Sequence, residues 1–328
     1  MSSLYVSQQG CYIALQQEQL LVKRHNEILT QVQLPHLEQV LIFGKSQVTT
    51  QAIRACLWRN IPIVYLSRMG YCYGRIIAIE RGYRALTRYQ QELSLGERLG
   101  VAQNIVLAKL NNSRTLLMRQ KRRHPSPCLT LAIESLDYLQ QQVKQADSQD
   151  RLLGFEGAGA ASYFAALGDC LRNPDFVFTA RSRRPPGNPV NALLSFGYQV
   201  LWNHLLALIE VQGLDPYQAC LHSSSERHAA LASDLIEEFR APLVDSLVLE
   251  LVNGRVLKLE HFDYRNGGCF LNELGRKKYL QGFVQRMEEQ VQIGAESKLR
   301  WETLMEQVKG FKAFVYNPSG GYSPYLIR

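Results

Sequence analysis

Along the first eighty or so residues, apolar positions come in short runs broken by polar residues and glycine. Leu4-Tyr5-Val6, Cys11-Tyr12-Ile13-Ala14-Leu15, Leu20-Leu21-Val22, Val40-Leu41-Ile42-Phe43 before Gly44, and Ile61-Pro62-Ile63-Val64-Tyr65-Leu66 are such runs. Their length and β-branched content predict strands. Between the last two, Thr49 precedes apolar residues at three-to-four spacing through Trp58. That pattern predicts one short helix with a threonine cap. A small antiparallel sheet with one helix is therefore expected over residues 1–84.

Beyond Arg84 the period becomes helical. Leu86 to Met118 holds no proline and reads as one long helix. It runs into Arg119-Gln120-Lys121-Arg122-Arg123-His124-Pro125-Ser126-Pro127, where two prolines stop it. The basic run there suits the helix macrodipole and suits a phosphate contact equally well. Residues 129–180 read as helices broken at Asp147-Ser148-Gln149-Asp150. The proline-dense stretch from Arg181 to Pro189 is a loop, helical patterns follow at 190–212 and 230–250, and Asn253-Gly254 is a turn signal. Asn317-Pro318-Ser319-Gly320-Gly321-Tyr322 looks loose. The expected architecture is α+β: a β-rich N-terminal domain, then a larger all-helical domain over residues 85–328.

Composition narrows the function. Of 328 residues, 46% are hydrophobic and 20% charged, an ordinary globular balance that excludes a disordered chain. The 37 Lys and Arg against 29 Asp and Glu leave a net charge of +8, which favours a polyanion: nucleic acid or an acidic membrane surface. Seven cysteines, an odd number with no C-x-x-C pair, argue against a disulfide framework or a four-cysteine zinc site. They read as small buried hydrophobes in a reducing compartment. The N-terminus lacks the pattern of a signal peptide. The most apolar stretch, Ala192 to Ile209, contains Gln199, Asn203 and His204 and reads as a buried core helix rather than a membrane span. A soluble, cytoplasmic protein is expected.

Three segments carry candidate chemistry. In the first, Leu152 to Phe164, a helix beginning near Glu156 would put Gly159, Ala160 and Tyr163 on the glutamate's face, leaving room beside it. A surface glutamate above a close helix contact explains the same residues. In the second, Gly213-Leu214-Asp215-Pro216-Tyr217 leads through an apolar run to His222, which could equally be an ordinary structural histidine. In the third, Leu231 to Arg240, Asp234, Glu237 and Glu238 are neighbours on a helix while Leu231, Leu235 and Phe239 face a core. A solvated acidic face is the alternative there. Taken together, one imidazole and two or three carboxylates form a mixed N/O set suited to Mn²⁺, or to Mg²⁺ with retained waters. The arginines Arg181, Arg183 and Arg184 could then fork onto phosphates.

The ordered set of phrases is similar to a known family. Leu153-Gly154-Phe155-Glu156-Gly157, then Arg181-x-Arg183-Arg184-Pro185-Pro186 with Pro189-Val190-Asn191-Ala192-Leu193-Leu194-Ser195-Phe196-Gly197-Tyr198, then Gly213-Leu214-Asp215-Pro216-Tyr217, Leu221-His222 and Asp234-Leu235-Ile236-Glu237-Glu238-Phe239-Arg240 resemble the CRISPR-associated integrase of the adaptation module, the Cas-one family. The N-terminal phrases Leu41-Ile42-Phe43-Gly44, Thr49-Thr50-Gln51-Ala52 and Ile61-Pro62-Ile63 fit it too. The chain departs from the pattern at Ala219-Cys220, where Gly-Phe is usual, at Trp202, where several relatives carry tyrosine, and at Glu237, where some carry aspartate.

The resemblance implies a β-rich dimerisation domain and a helical domain holding a divalent ion, Mn²⁺ or Mg²⁺. Glu156, His222 and Glu237 would be its ligands, with Asp234 auxiliary. Arg181, Arg183, Arg184 and Tyr163 are the expected DNA contacts. The implied activity is metal-dependent DNA cleavage and integration, in which 3′-hydroxyls of a short duplex are joined to a CRISPR repeat by transesterification. Double-stranded DNA, a second copy of the chain and a small Cas-two protein are the implied partners, with no membrane. Two alternatives use the same residues differently: a non-catalytic DNA-binding scaffold, and an RNA-directed metal nuclease.

Overall fold

A computed structural model describes all residues except 1, 26, 69, 71, 80–84, 224–227, 294–295 and 328. The chain opens with β1 (Ser2–Val6), β2 (Tyr12–Gln16), β3 (Gln19–Arg24), β4 (Glu27–Gln33), β5 (Leu37–Phe43), β6 (Gln47–Val48), helix α1 (Thr50–Trp58), β7 (Ile63–Leu66) and β8 (Cys72–Ile76). Helices follow: α2 (Ala85–Glu92), α3 (Leu95–Arg123), α4 (Pro127–Val143), α5 (Gln149–Leu167), α6 (Pro189–Val211), α7 (Ala230–Ile236), a π-helical turn Arg240–Asp245, and α8 (Ser246–Asn253). Last come a hairpin of β9 (Phe262–Arg265) and β10 (Gly268–Leu271), α9 (Glu273–Glu288), a hairpin of β11 (Gln290–Ile293) and β12 (Glu296–Leu299), and α10 (Arg300–Tyr316). The class is α+β, strands first and helices after, as the sequence predicts. The later region is not all helical, because two hairpins interrupt it.

The chain divides into two compact units. One comprises Met1–Tyr83 with Leu271–Trp301, the other Arg84–Phe270 with Glu302–Arg328. In the first, strand order is β1-β5-β7-β8 in one sheet and β4-β3-β2-β6 in a second. The first sheet is mixed rather than antiparallel: β1, β5 and β7 run parallel and only β8 is reversed. The reason is α1, whose crossover from β5 returns the chain in the same direction. Thr49 caps α1, its hydroxyl accepting from the Ala52 N–H at 3.1 Å. Ile13, Leu20, Val40, Ile42 and Ile63 fill the core between the sheets, each 1% exposed or less. Phe283 of α9 adds an edge-on ring contact to Tyr5, centroids 6.3 Å apart. No local pattern in 271–301 announces that it packs here.

In the second unit the expected helix over 86–118 is two, because Ser94 starts α3 with a capping box. Its hydroxyl accepts from Glu97 N–H, and Glu97 accepts from Ser94 N–H at 2.7 Å. The pattern at 230–250 is likewise interrupted. Pro242 has no N–H to donate, and the chain widens there into the π-helical turn. Helix α6 begins with Asn188 as cap and Pro189 in the first turn, and it is buried nearly all round. It is long and apolar enough to cross a membrane, yet 83% of its most apolar window is buried inside the protein, as in a core helix.

Candidate functional site

Five structural pieces of the second unit meet here. Glu156 lies in the second turn of α5, which starts at Gln149 rather than near the glutamate. It meets α3 because Gly159, one turn on, has no side chain: a Cβ there would overlap Leu110 Cδ2. The small face expected to leave room beside Glu156 is filled by α3, and Lys109 arrives with it. The Lys109 ammonium pairs with Glu156 Oε1 and lies 2.6 Å from Glu237 Oε2. Glu237, at the end of α7, has its other oxygen 2.9 Å from Arg240 Nη2.

The acidic trio is not a solvated face. Asp234 and Glu238 are 0% exposed and Glu237 is 2% exposed. Burial alone would raise the Glu237 pKa, but the charges of Arg240, Lys109 and His222 overcome it and hold the carboxyl down at about 2. Glu238 faces away from them, and burial pushes it up to about 8.

His222 sits on the link between α6 and α7. Its Nδ1–H donates to Asp234 Oδ1 at 2.8 Å. Asp234 also accepts backbone N–H bonds from Cys220 at 2.6 Å, Leu221 at 2.9 Å and His222 at 2.9 Å. The expected auxiliary carboxylate thus shapes the turn and orients the imidazole from behind, leaving Nε2 for a ligand. Burial pulls the His222 pKa down, and the hydrogen bond and charge of Asp234, with the charge of Glu237, outweigh it and raise the pKa. A cleft of about 580 Å³, lined by Gly96, Arg98, Ser148, Gln149, Ala219 and Cys220 among others, opens onto His222.

The four residues expected at DNA divide. Arg183 and Arg184 are exposed. Arg181 turns inward, donating to Asn191 Oδ1 and Ser195 Oγ at 2.9 Å each, and pins the loop to α6. Tyr163 is 3% exposed and donates to Asp245 Oδ2 at 2.7 Å. Tyr198 donates to the other oxygen of Asp245, and its ring lies under the Arg240 guanidinium, 4.7 Å from the centroid. Trp202 donates to Ser233 Oγ at 3.1 Å and stacks on the exposed His228, rings 5.9 Å apart and 13° from parallel.

Sequence patterns alone do not single out Lys109, Arg240 or Asp245. Lys109 leaves a trace: it is a lysine inside the run Ile105-Val106-Leu107-Ala108-Lys109-Leu110, on the buried side of a helix. Asp245 leaves none, since its partners lie 82 and 47 residues away.

Among the described residues, no group of three or more His, Cys, Asp and Glu side chains is arranged as a ready metal cage. Two acids instead face one shared cation, the Lys109 ammonium. The donors nonetheless suit a divalent ion. Glu237 Oε2 is buried with the Lys109 ammonium 2.6 Å away, a positive charge whose place a dication could take. Two carboxylates and an imidazole match a hard or borderline cation.

Residues 4–285 match the family model described as CRISPR associated protein Cas1. The chain belongs to that family. It is 32% identical over 327 residues to a "CRISPR-associated endonuclease Cas1 1" of Thermus thermophilus, with 99% of each chain covered. It is 34% identical to a Cas4/Cas1 fusion of Geobacter sulfurreducens, of which it spans about half, 53%. Among solved structures, a Cas1 protein from Thermotoga maritima covers 97% of the chain with a TM-score of 0.81 at 24% identity. A casposase bound to its integration product shares the fold with a TM-score of 0.83 at 21% identity. A chain of a solved Cas6-RT-Cas1–Cas2 complex matches 99% of this chain over 36% of its own length, with a TM-score of 0.82 at 25% identity.

Proposed function

We propose that this chain is a divalent-metal-dependent DNA endonuclease and integrase of CRISPR adaptation, joining DNA 3′-hydroxyls to a repeat by transesterification. The observation that carries the reading is the pair of carboxylates, Glu156 and buried Glu237, that meet at one ammonium. A basic DNA-binding scaffold gains little from burying Glu237 in its ionised form between Lys109 and Arg240, because burying charge is costly even when it is paired. Glu156, His222 Nε2 and Glu237 would hold Mn²⁺ or Mg²⁺. Bound there, the ion supplies Lewis acidity toward a phosphoryl oxygen and lowers the pKa of an attacking hydroxyl.

The chain's own residues do the rest. Asp234 fixes the imidazole and keeps its proton on Nδ1. Arg240 and Lys109 hold the Glu237 carboxylate ionised at neutral pH. Arg183 and Arg184, exposed on a proline-stiffened loop, are the residues for backbone phosphates. Arg181 and Tyr163 act from the interior as supports. Relatives described as Cas1 endonucleases, and the neighbour containing Cas2, support DNA and a Cas2-type protein as partners. Pairing with a second copy through the first unit, and a cytoplasmic site of action, belong to the same reading.

The test is strand transfer on a supercoiled repeat-bearing plasmid with Mn²⁺, with and without EDTA. The expected result is joined product only with metal, and none from His222→Ala although that variant still binds duplex DNA. Full-rate joining by His222→Ala would refute the assignment. A scaffold would give no saturable Mn²⁺ binding and no joined product.

A further inference from the structure

Glu237 and Glu238 are consecutive, yet their carboxylates are held by different parts of the molecule. Glu237 meets Lys109 of α3. Glu238 receives the Tyr322 hydroxyl on Oε1 and the Tyr325 N–H on Oε2, the latter at 2.6 Å. Both donors belong to a stretch without helix or strand, 321–327, which overlaps and continues the residues 317–322 whose composition looks loose. It is not loose. Asn104 donates to Tyr322 O at 2.8 Å, and Gln307 donates to the Tyr322 hydroxyl at 2.7 Å. The Tyr325 ring stacks on Phe239, centroids 4.8 Å apart.

Asn112, 0% exposed and one turn beyond Lys109 on α3, is the junction. Its Nδ2 donates to Glu238 O at 2.8 Å and to Tyr325 O at 2.9 Å, and its Oδ1 accepts from Ile327 N–H at 3.0 Å. Helix α3 and the 237–238 peptide are therefore tied twice, by Lys109–Glu237 toward the site and by Asn112–Glu238 behind it. The second tie is closed by the 321–327 stretch. Loss of the Tyr322 hydroxyl alone would leave Glu238 Oε1 buried with that donor missing, a costly state that the backbone can relieve by moving.

We propose that the 321–327 stretch, through Tyr322, Tyr325 and Asn112, is a positioning element of the site: it sets where Glu237 stands relative to Lys109 and Glu156. The proposal rests on the metal-site reading above and extends it to residues that touch neither ion nor DNA. Its reach is that of an outer-shell contact, where loss typically costs tenfold to a hundredfold in metal affinity.

The experiment uses the full chain and the variants Tyr322→Phe and Asn112→Ala. Mn²⁺ binding is titrated calorimetrically well below the melting temperature, and hydrogen exchange is followed at the amides of residues 234–239. The expected result is faster exchange there and Mn²⁺ affinity about tenfold weaker, with duplex DNA binding in EDTA unchanged. A purely structural brace would lower the melting temperature and leave the affinity of the folded protein alone. Affinity within twofold of the parent chain, or unaltered exchange at 234–239, overturns the proposal. If the parent chain itself takes up no Mn²⁺, the metal reading fails and the exchange data decide the positioning role. Tyr322→Phe removes a single hydroxyl, so it carries the test if Asn112→Ala does not fold.

Discussion

Asp234 takes the Nδ1 proton of His222 at 2.8 Å and the backbone N–H of the same residue at 2.9 Å, so one buried carboxylate fixes both the ring and the peptide that carries it. Asp234→Asn replaces an oxygen acceptor with an amide donor. Each Asp234 oxygen accepts two of the four hydrogen bonds, so two N–H groups then face like polarity; with the amide nitrogen in the Oδ1 place, the ring relieves its share by moving its proton to Nε2. The expected outcome is DNA joining slowed about a hundredfold, measured by strand transfer, with duplex binding in EDTA intact.

Lys109 touches both Glu156 and Glu237. Lys109→Met would leave two acids in a common pocket without it. Breaking a buried pair by removing one member typically costs about 3 kcal/mol. The metal-free variant should therefore melt well below the parent chain. Mn²⁺ should raise its melting temperature more than that of the parent, because the ion takes over the missing charge. Thermal melts with and without Mn²⁺ read both effects.

Gly159 allows α3 and α5 to approach. Gly159→Ala sets a methyl against Leu110 Cδ2. Overpacking of this kind costs roughly 1–3 kcal/mol. Any separation of the helices draws Glu156 from Lys109. Stability should fall in denaturant titration and joining should fall with it, whereas Gly157→Ala, where a Cβ meets nothing within 4 Å, should raise stability by roughly 0.5–1 kcal/mol and leave joining unchanged.

Asp245 gives a pH signature. Burial raises its pKa to about 6, with hydrogen bonds from Tyr198 and Tyr163 and the Arg240 charge pulling it back part of the way. An acid whose folded pKa lies above its ordinary value near 3.8 binds protons more tightly when folded. Its contribution to stability is fully present below that ordinary value and is lost as pH rises through about 6. Asp245→Asn cannot titrate. Compared with the variant, the parent chain should lose stability as pH rises from 4 to 7, read from urea midpoints across that range.

The strands, α1 and the long helices were legible because each rests on local periodicity and a cap, as with Thr49 and α1. Glu156, His222 and Glu237 stand out in the sequence as parts of motifs, and the structure brings Glu156 and Glu237 to one ammonium. What the motifs could not convey is exposure: Asp234, Glu237 and Glu238 have the spacing of a wet acidic face and lie inside. The i+7 spacing puts Tyr163 on the face of Glu156 as a candidate DNA contact, but it is buried and its hydroxyl answers to Asp245, far along the chain. Arg181 shares a basic loop with Arg183 and Arg184 and differs from them through Asn191 and Ser195. Residues 317–322 have the composition of a frayed end, yet Asn104, Asn112, Gln307 and Glu238 hold residues 322–327 in place. Each miss is a tertiary partner that no window of neighbouring residues contains.

The ammonium between Glu156 and Glu237 has one more consequence. Because it is leashed to α3 by its own hydrocarbon stem, the acids are never left facing each other bare, whatever the supply of ions. On the metal reading proposed above, a dication would not fill a hole: it would take the place of this resident ammonium, and the lysine stem would have to turn aside for it. Loading would then be an exchange of one positive charge for another, with the displaced ammonium still tethered close enough to meet a phosphate.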